Sequence, residues 1–299
     1  MSLRRWLLAA TLGVAALGVS RDASAFCRTT TCNEATETCE RNERNCIRSG
    51  RVVIWASLPI VYRFAASGSS KLNDTRARDA VRAAFAAWEG VRCPSGGRTS
   101  VRFEEGPDIE REKPVGRKQG KEPFGIYFRD DEWPYNKGGA DSLALTNQIY
   151  GEKGGVIDYA DIEINTYETL FSLSDEDSDA IDFQSVMIHE AGHYLGLAHS
   201  DDPDSIMAPS YCQSANRCDP GIESKRALSD DDIDGVCGIY PPTGGDDDDD
   251  DDSGSSSTKK KTPPSSGSCA TSTTRSNLAG GVGLLFLACA FVRRRLRSS

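Results

Sequence analysis

Histidine is scarce in this chain. The 299 residues include only three, His189, His193 and His199, and all three fall within eleven consecutive positions. A second metal site built on imidazoles is excluded on that count alone. Basic residues are outnumbered as well, 35 Lys and Arg against 45 Asp and Glu, which leaves a net charge of −10. That balance argues against nucleic acid as a partner, because phosphate binding needs a positive footprint. No apolar stretch reaches the ~18 residues that read as a full transmembrane helix. The two apolar runs of note lie at the ends, Trp6 to Val19 and Leu278 to Val292. Close C-x-x-C pairs are missing from the first four cysteines. Cys27, Cys32, Cys39 and Cys46 are separated by four, six and six residues, which disfavours a zinc ribbon. No acidic run has the spacing of an EF-hand loop.

The few histidines form a pattern. His189-Glu190-Ala191-Gly192-His193 is an H-E-x-x-H motif, continued by Gly196 and His199. On a helix His189 and His193 lie one turn apart on one face, so both imidazoles can reach a single metal ion. Glu190 follows the first ligand directly and can reach a water on that ion. Gly196, without a Cβ, can end the helix in a left-handed turn and reverse the chain. That reversal brings His199 back as a third ligand and leaves the fourth zinc position open. A bare H-E-x-x-H arises by chance in roughly one chain in a hundred of this length, and the glycine and third histidine cut that by about a thousandfold.

H-E-x-x-H-x-x-G-x-x-H followed by Ile206-Met207-Ala208-Pro209-Ser210-Tyr211 resembles the metzincin zinc proteases with their Met-turn. Ser200 after the third histidine is similar to the matrixin branch, where astacins tend to carry Glu and adamalysins Asp. Leu228-Ser229-Asp230-Asp231-Asp232-Ile233-Asp234-Gly235-Val236, with Ile239-Tyr240, resembles the last helix of matrixin catalytic domains. The resemblance covers roughly residues 51–241. It implies hydrolysis of internal peptide bonds in protein or peptide substrates by a monomer holding one catalytic Zn2+ on His189, His193 and His199. Zinc on three neutral imidazoles lowers the pKa of a bound water to about 7, and Glu190 acts as general base. Met207 would form a hydrophobic floor under the histidines, and Pro209 and Tyr211 would line the substrate pocket. Leu143-Ala144-Leu145 matches the edge strand that matrixins offer to substrate, although an interior strand fits the same residues. The family also implies structural Ca2+. Asp158, Asp161, Glu163, the 175–179 run and Asp201, Asp202 and Asp204 offer oxygens for it, but they read more readily as solvated acidic loops.

Along the chain, residues 1–25 read as a secretory signal peptide: Arg4 and Arg5, an apolar run, then Ala23-Ser24-Ala25 as a cleavage site. Their removal, three Arg and one Asp, takes the net charge to −12. In an exported protein the eight cysteines between Cys27 and Cys237 favour disulfides. Residues 26–50 then form a disulfide-tied N-terminal segment. No pro-peptide motif with a blocking cysteine is present, although one of these four could in principle play that part.

The protease domain is expected over 51–242, an α+β domain with a mixed, twisted sheet over the active-site helix, a first helix and a C-terminal helix. Strands are expected near Arg51–Phe64, Thr99–Glu104, Gly125–Phe128, Ser142–Thr146 and Val156–Asn165. One helix is expected from the Asn73 or Asp74 cap to Glu89, with Val81, Ala84, Phe85 and Trp88 as its core stripe. A second should follow the Asp182 cap to about Leu195, with Met187, Ala191 and Leu195 facing away from the ligands.

Residues 243–268, with seven aspartates from Asp246 to Asp252, read as an extended linker. Residues 269–299 read either as a membrane anchor or as a C-terminal sorting tail of the type named after myxobacteria, the chain's single membrane contact. Both readings place the protein outside the cell or on its surface. A rival reading is a surface binding protein on a catalytically dead protease fold, and the intact Glu190 and ligand set argue against it.

Overall fold

The computed structural model describes residues 26–110, 114, 125–135, 142–174, 180–209, 226–243 and the backbone pair 286–287. The proposed signal peptide, the 175–179 acidic run, Tyr211, Cys212, Cys218, the aspartate run and nearly all of the tail lie outside these residues.

Two helices and a mixed sheet enclose the core. Helix α1, Asp74–Glu89, starts where the Asn73 side chain accepts from Arg76 N, and ends at Gly90 in a right-handed conformation. Its Ala77, Val81, Ala84, Phe85 and Trp88 are buried, as the three-to-four spacing of apolar residues requires. Helix α2, Phe183–Tyr194, is capped by Asp182, whose carboxylate accepts from Ser185 N. The two pack side by side, and Trp88 Nε1 donates to the Ile188 carbonyl at 2.8 Å. Met187, Ala191 and Leu195 are fully buried, as their spacing implies.

The strands are β1 (Ile60–Tyr62), β2 (Phe103–Glu105), β3 (Ile126–Phe128), β4 (Ala144–Tyr150), β5 (Ile157–Ile164), β6 (Phe171–Ser172), β7 (Ile181–Asp182) and β8 (Phe286–Leu287). β3 runs parallel to β5, and β5 antiparallel to β4. β1 pairs parallel with β2, and a bridge between Phe64 and Ile126 carries that pair on to β3. The sheet is therefore mixed and the class α+β, as expected. β2 lies later than the 99–104 reading, β4 continues four residues beyond Thr146, and the β6–β7 pair was not expected.

β4 has β5 on one side. On the other, β8 pairs antiparallel at Thr146 and Asn147 only. Ala144 and Leu145 carry no strand partner on that outer side among the described residues, and Leu143 precedes the strand.

Helix α3, Asp230–Ile239, opens on a capping box in which Ser229 and Asp232 serve each other's backbone N–H. Among the described residues, disulfides join Cys27 to Cys46, Cys32 to Cys39 and Cys93 to Cys237. With all four N-terminal cysteines oxidised in pairs, the zinc-ribbon and blocking-thiol alternatives for them are set aside. No helix among the described residues is long and apolar enough to cross a membrane.

Candidate metal centre

The helix that carries the motif is buried on nearly every side, including the ligand face. His189 and His193 are each 1% exposed, where the sequence pattern alone suggested an open face. The cover is the segment from Gly196 to Met207. Gly196 has φ +98°, and a Cβ there would stand 2.2 Å from the Val53 carbonyl oxygen, so both the turn and the close approach demand glycine. Beyond it the chain doubles back until Ser200 N meets Met207 O at 2.9 Å.

This reversal gathers the three imidazoles. Ring centroids of His189 and His193 lie 4.7 Å apart, His193 and His199 4.9 Å, His189 and His199 5.4 Å. Their ligand nitrogens fall within 4.8 Å of one another, and no other cluster of three metal-ligating side chains occurs among the described residues. His189 Nδ1 faces the Ile206 carbonyl at 2.6 Å, and His193 Nδ1 faces the Leu197 carbonyl at 2.9 Å. A carbonyl can only accept, so each Nδ1 carries the proton and each Nε2 keeps its lone pair for a metal. Burial above all, then the other two imidazoles, pushes the pKa of His193 well below its ordinary value, and burial lowers that of His199 to about 4. Both rings are neutral at pH 7, as a ligand must be. This donor set fits zinc.

Glu190, next in sequence to His189, is fully buried. Thr146 on β4 donates its hydroxyl to Glu190 Oε2 at 2.6 Å, and its next-but-one neighbour Gln148 donates to the His193 carbonyl. These alternate residues share one face of β4 and clamp α2 to the sheet. The C-terminal carbonyls of α2 are met by side chains as well. Trp55 Nε1 reaches Tyr194 O at 2.7 Å, and Tyr240 Oη reaches Leu195 O at 2.9 Å. Helix ends that would otherwise hold orphan carbonyls are thus fixed next to the ligands.

Met207 is buried beneath the helix. A Cβ on Gly192 would lie 2.3 Å from its Sδ, which explains a glycine within the H-E-x-x-H core. The loop between His199 and Met207 hangs from α3. Ser200 Oγ donates to Asp231 Oδ2 at 2.7 Å, Ser205 Oγ to Asp232 Oδ1 at 2.5 Å and Ile206 N to Asp232 Oδ2 at 2.9 Å. Thr146, Gln148, Asp231 and Asp232 were not singled out as site residues. The acidic start of α3 was the one available signal, and it reads equally as an ordinary helix N-terminus.

A search against family models matches residues 54–241 to Matrixin. The chain belongs to the matrixin family. Matrix metalloproteinase-C of Caenorhabditis elegans is 30% identical over 191 residues, 62% of this chain and 28% of that protein. Matrix metalloproteinase-16 of Homo sapiens is 30% identical over 172 residues, 58% of this chain and 25% of that protein. Metalloendoproteinase 1 of Glycine max is 44% identical over 61 residues, 20% of this chain and 17% of that protein. The chain thus spans about a quarter of the length of the first two relatives. A family of metalloproteases implies catalytic zinc, and the triad of this matrixin is compatible with it.

Other expected site residues are placed less decisively. Leu143, Ala144 and Leu145 are buried, Pro209 is exposed and Tyr211 lies outside the described residues. The acidic residues considered for calcium are partly engaged by protein donors. Asp161 accepts from Gly125 N at 2.8 Å. Glu163 is held by Tyr135, by Asn147 at 3.0 Å and by Arg129 at 3.4 Å.

Proposed function

We propose that this matrixin is an exported zinc metalloendopeptidase that hydrolyses internal peptide bonds. The observation that carries the reading is the convergence of three imidazoles, tautomer-fixed through their backbone partners at His189 and His193, with the buried Glu190 carboxylate on the same helix. His189, His193 and His199 would hold the ion. Bound there, zinc supplies Lewis acidity, polarising the scissile carbonyl and acidifying water. Glu190 takes the proton that the attacking water loses and delivers it to the leaving amine nitrogen as the C–N bond breaks. Thr146 holds the carboxylate in place for both transfers. Met207 supports the imidazoles from below and exchanges no proton. The outer side of Leu143-Ala144-Leu145 would take the substrate backbone as an added strand, with Pro209 and Tyr211 beside the residue after the cut. Export through residues 1–25, a linker at 243–268 and retention by the 269–299 tail complete the proposed layout, with the folded part acting at or beyond the cell surface.

The test is direct. Purified zinc-loaded protein should cut a general protein substrate, and a chelator should abolish that activity. Glu190→Ala should retain stoichiometric zinc while losing about 10²–10⁴ in kcat. Proteolysis that persists undiminished in Glu190→Ala would show that another group is the base.

A further inference from the structure

The cavity next to the metal centre is walled on one side by residues outside the matched family span. It holds about 410 Å³ between the 27–47 stretch and residues 198–201, and His199 contributes to its lining. That stretch is built in rather than draped over the surface. Thr29 N donates to Gly196 O at 2.8 Å, and Ala198 N to Cys27 O at 3.0 Å. The Cys27–Cys46 and Cys32–Cys39 bridges tie it into two loops. One wall of the cavity is therefore bonded, through main chain and disulfides, to the residue that precedes a metal ligand.

Its charge runs against that of the chain. In a protein of net charge −10, Arg28, Arg41 and Arg44 line this cavity against Glu34 and Asp201. Glu34 answers Arg41 at 2.5 Å, and Arg44 shares the lining with Asp201 and interacts with the Asp231 charge on α3. Arg28 Nε is buried and has no hydrogen-bond partner among the described residues. Burial, then the nearby Arg48 charge, lowers the pKa of Arg28. The guanidinium rests over the Phe26 ring at 4.9 Å, but a buried Nε without an acceptor, beside another cation, is unfavourable. An incoming carboxylate would relieve both effects through charge-assisted hydrogen bonds.

We propose that this cavity is a substrate subsite for an acidic side chain, aspartate or glutamate, of the peptide bound at the metal centre. The proposal rests on the protease reading and adds a substrate class to it. A round cavity of this volume is about 9 Å across, or two to three residues of extended chain at ~3.3 Å each. The favoured acidic residue thus lies within about three residues of the scissile bond, always on the same side of it.

The experiment uses full-length, zinc-loaded Glu190→Ala protein and fluorescent peptides that differ at one position, Asp or Glu against Gln or Lys, with that position walked along the peptide. At one position the acidic peptides should bind about tenfold tighter than the Gln peptide, and the Lys peptide should bind weakest. Arg44→Glu, at an exposed position, should level or reverse the order, and Arg44→Lys should preserve it. Equal binding of all peptides at every position overturns the proposal. So does an acidic preference that survives both Arg44→Glu and Arg28→Gln in protein whose thermal unfolding shows it to be folded. Should wild-type protein bind with this preference yet cut nothing, the subsite stands and the protease reading falls. Should it cut with no acidic preference, the reverse holds.

Discussion

Thr146 is the residue through which the sheet acts on the Glu190 carboxylate, the proposed base. Its hydroxyl has a single proton, and of the two acceptors in reach Glu190 Oε2 at 2.6 Å is nearer than Glu190 O at 3.1 Å. Hydrogen bonds to charged groups contribute about 1.5–3 kcal/mol, so Thr146→Val should lower kcat by roughly tenfold or more while KM and zinc content stay level. Thr146→Ser should restore most of the rate, and steady-state kinetics on the three proteins checks it. Asp231 acts on the loop instead. Burial above all raises its pKa to about 6 from an ordinary 3.8, against the pull of the Ser200 hydroxyl. Between those values the folded chain holds a proton that the unfolded chain has lost, so the Asp231 contribution to stability falls as pH rises through that window. Asp231→Asn lacks this titration and should gain stability relative to wild type from about pH 4 to about pH 7, as urea midpoints at the two pH values would show.

Among the elements, α2 does most to place the site, and its end matters more than its face. The helix stops at Tyr194, the chain passes Gly196 at φ +98°, and His199 returns. Gly196→Ala places a methyl 2.2 Å from the Val53 carbonyl oxygen in a backbone region that already costs an L-residue about 1–2 kcal/mol. The variant should lose at least about 2 kcal/mol of stability and bind zinc substoichiometrically, measured by thermal unfolding and metal analysis. β4 shows why a strand can hide in a sequence. Thr146, Asn147 and Gln148 interrupt the apolar pattern, so the strand reads as ending near Thr146. Each is polar because it has a partner to hold: Glu190, Glu163 and the His193 carbonyl respectively. The α1 and α2 regions were more legible, because Asn73 and Asp182 announce caps and apolar stripes follow them locally, while α3 was legible through the resemblance of Leu228–Val236 to the last matrixin helix. β6 and β7, two residues each, carry no periodic signal at all.

Among the described residues, three disulfides and the main buried core tie the ends of the fold to its centre. Cys93–Cys237 closes 144 residues of sequence and fastens the chain after α1 to α3, the helix from which the His199–Met207 loop hangs. Replacing both cysteines with serine should cost about 2–5 kcal/mol, read as a lower denaturation midpoint. The metal affinity of the remaining folded protein should change little, since neither cysteine contacts a ligand. The N-terminal 26–50 segment belongs to the same unit, with Phe26 buried in the main core. Its cysteine count suggested a disulfide framework, but pairing is a matter of which loops meet in space, and spacing does not encode that.

The candidate ligand set was legible in the residues alone. Three histidines, one glutamate and one glycine at fixed intervals allow few other arrangements, because helical periodicity and the conformational freedom of glycine act over a handful of residues. What surrounds that ligand set emerges from how the chain packs. The Thr146 hydroxyl on Glu190, the α3 carboxylates holding the Met207 loop and the arginine-lined wall beside His199 join positions far apart in the chain. Contacts of that kind arise from packing, and no local pattern of residues records them.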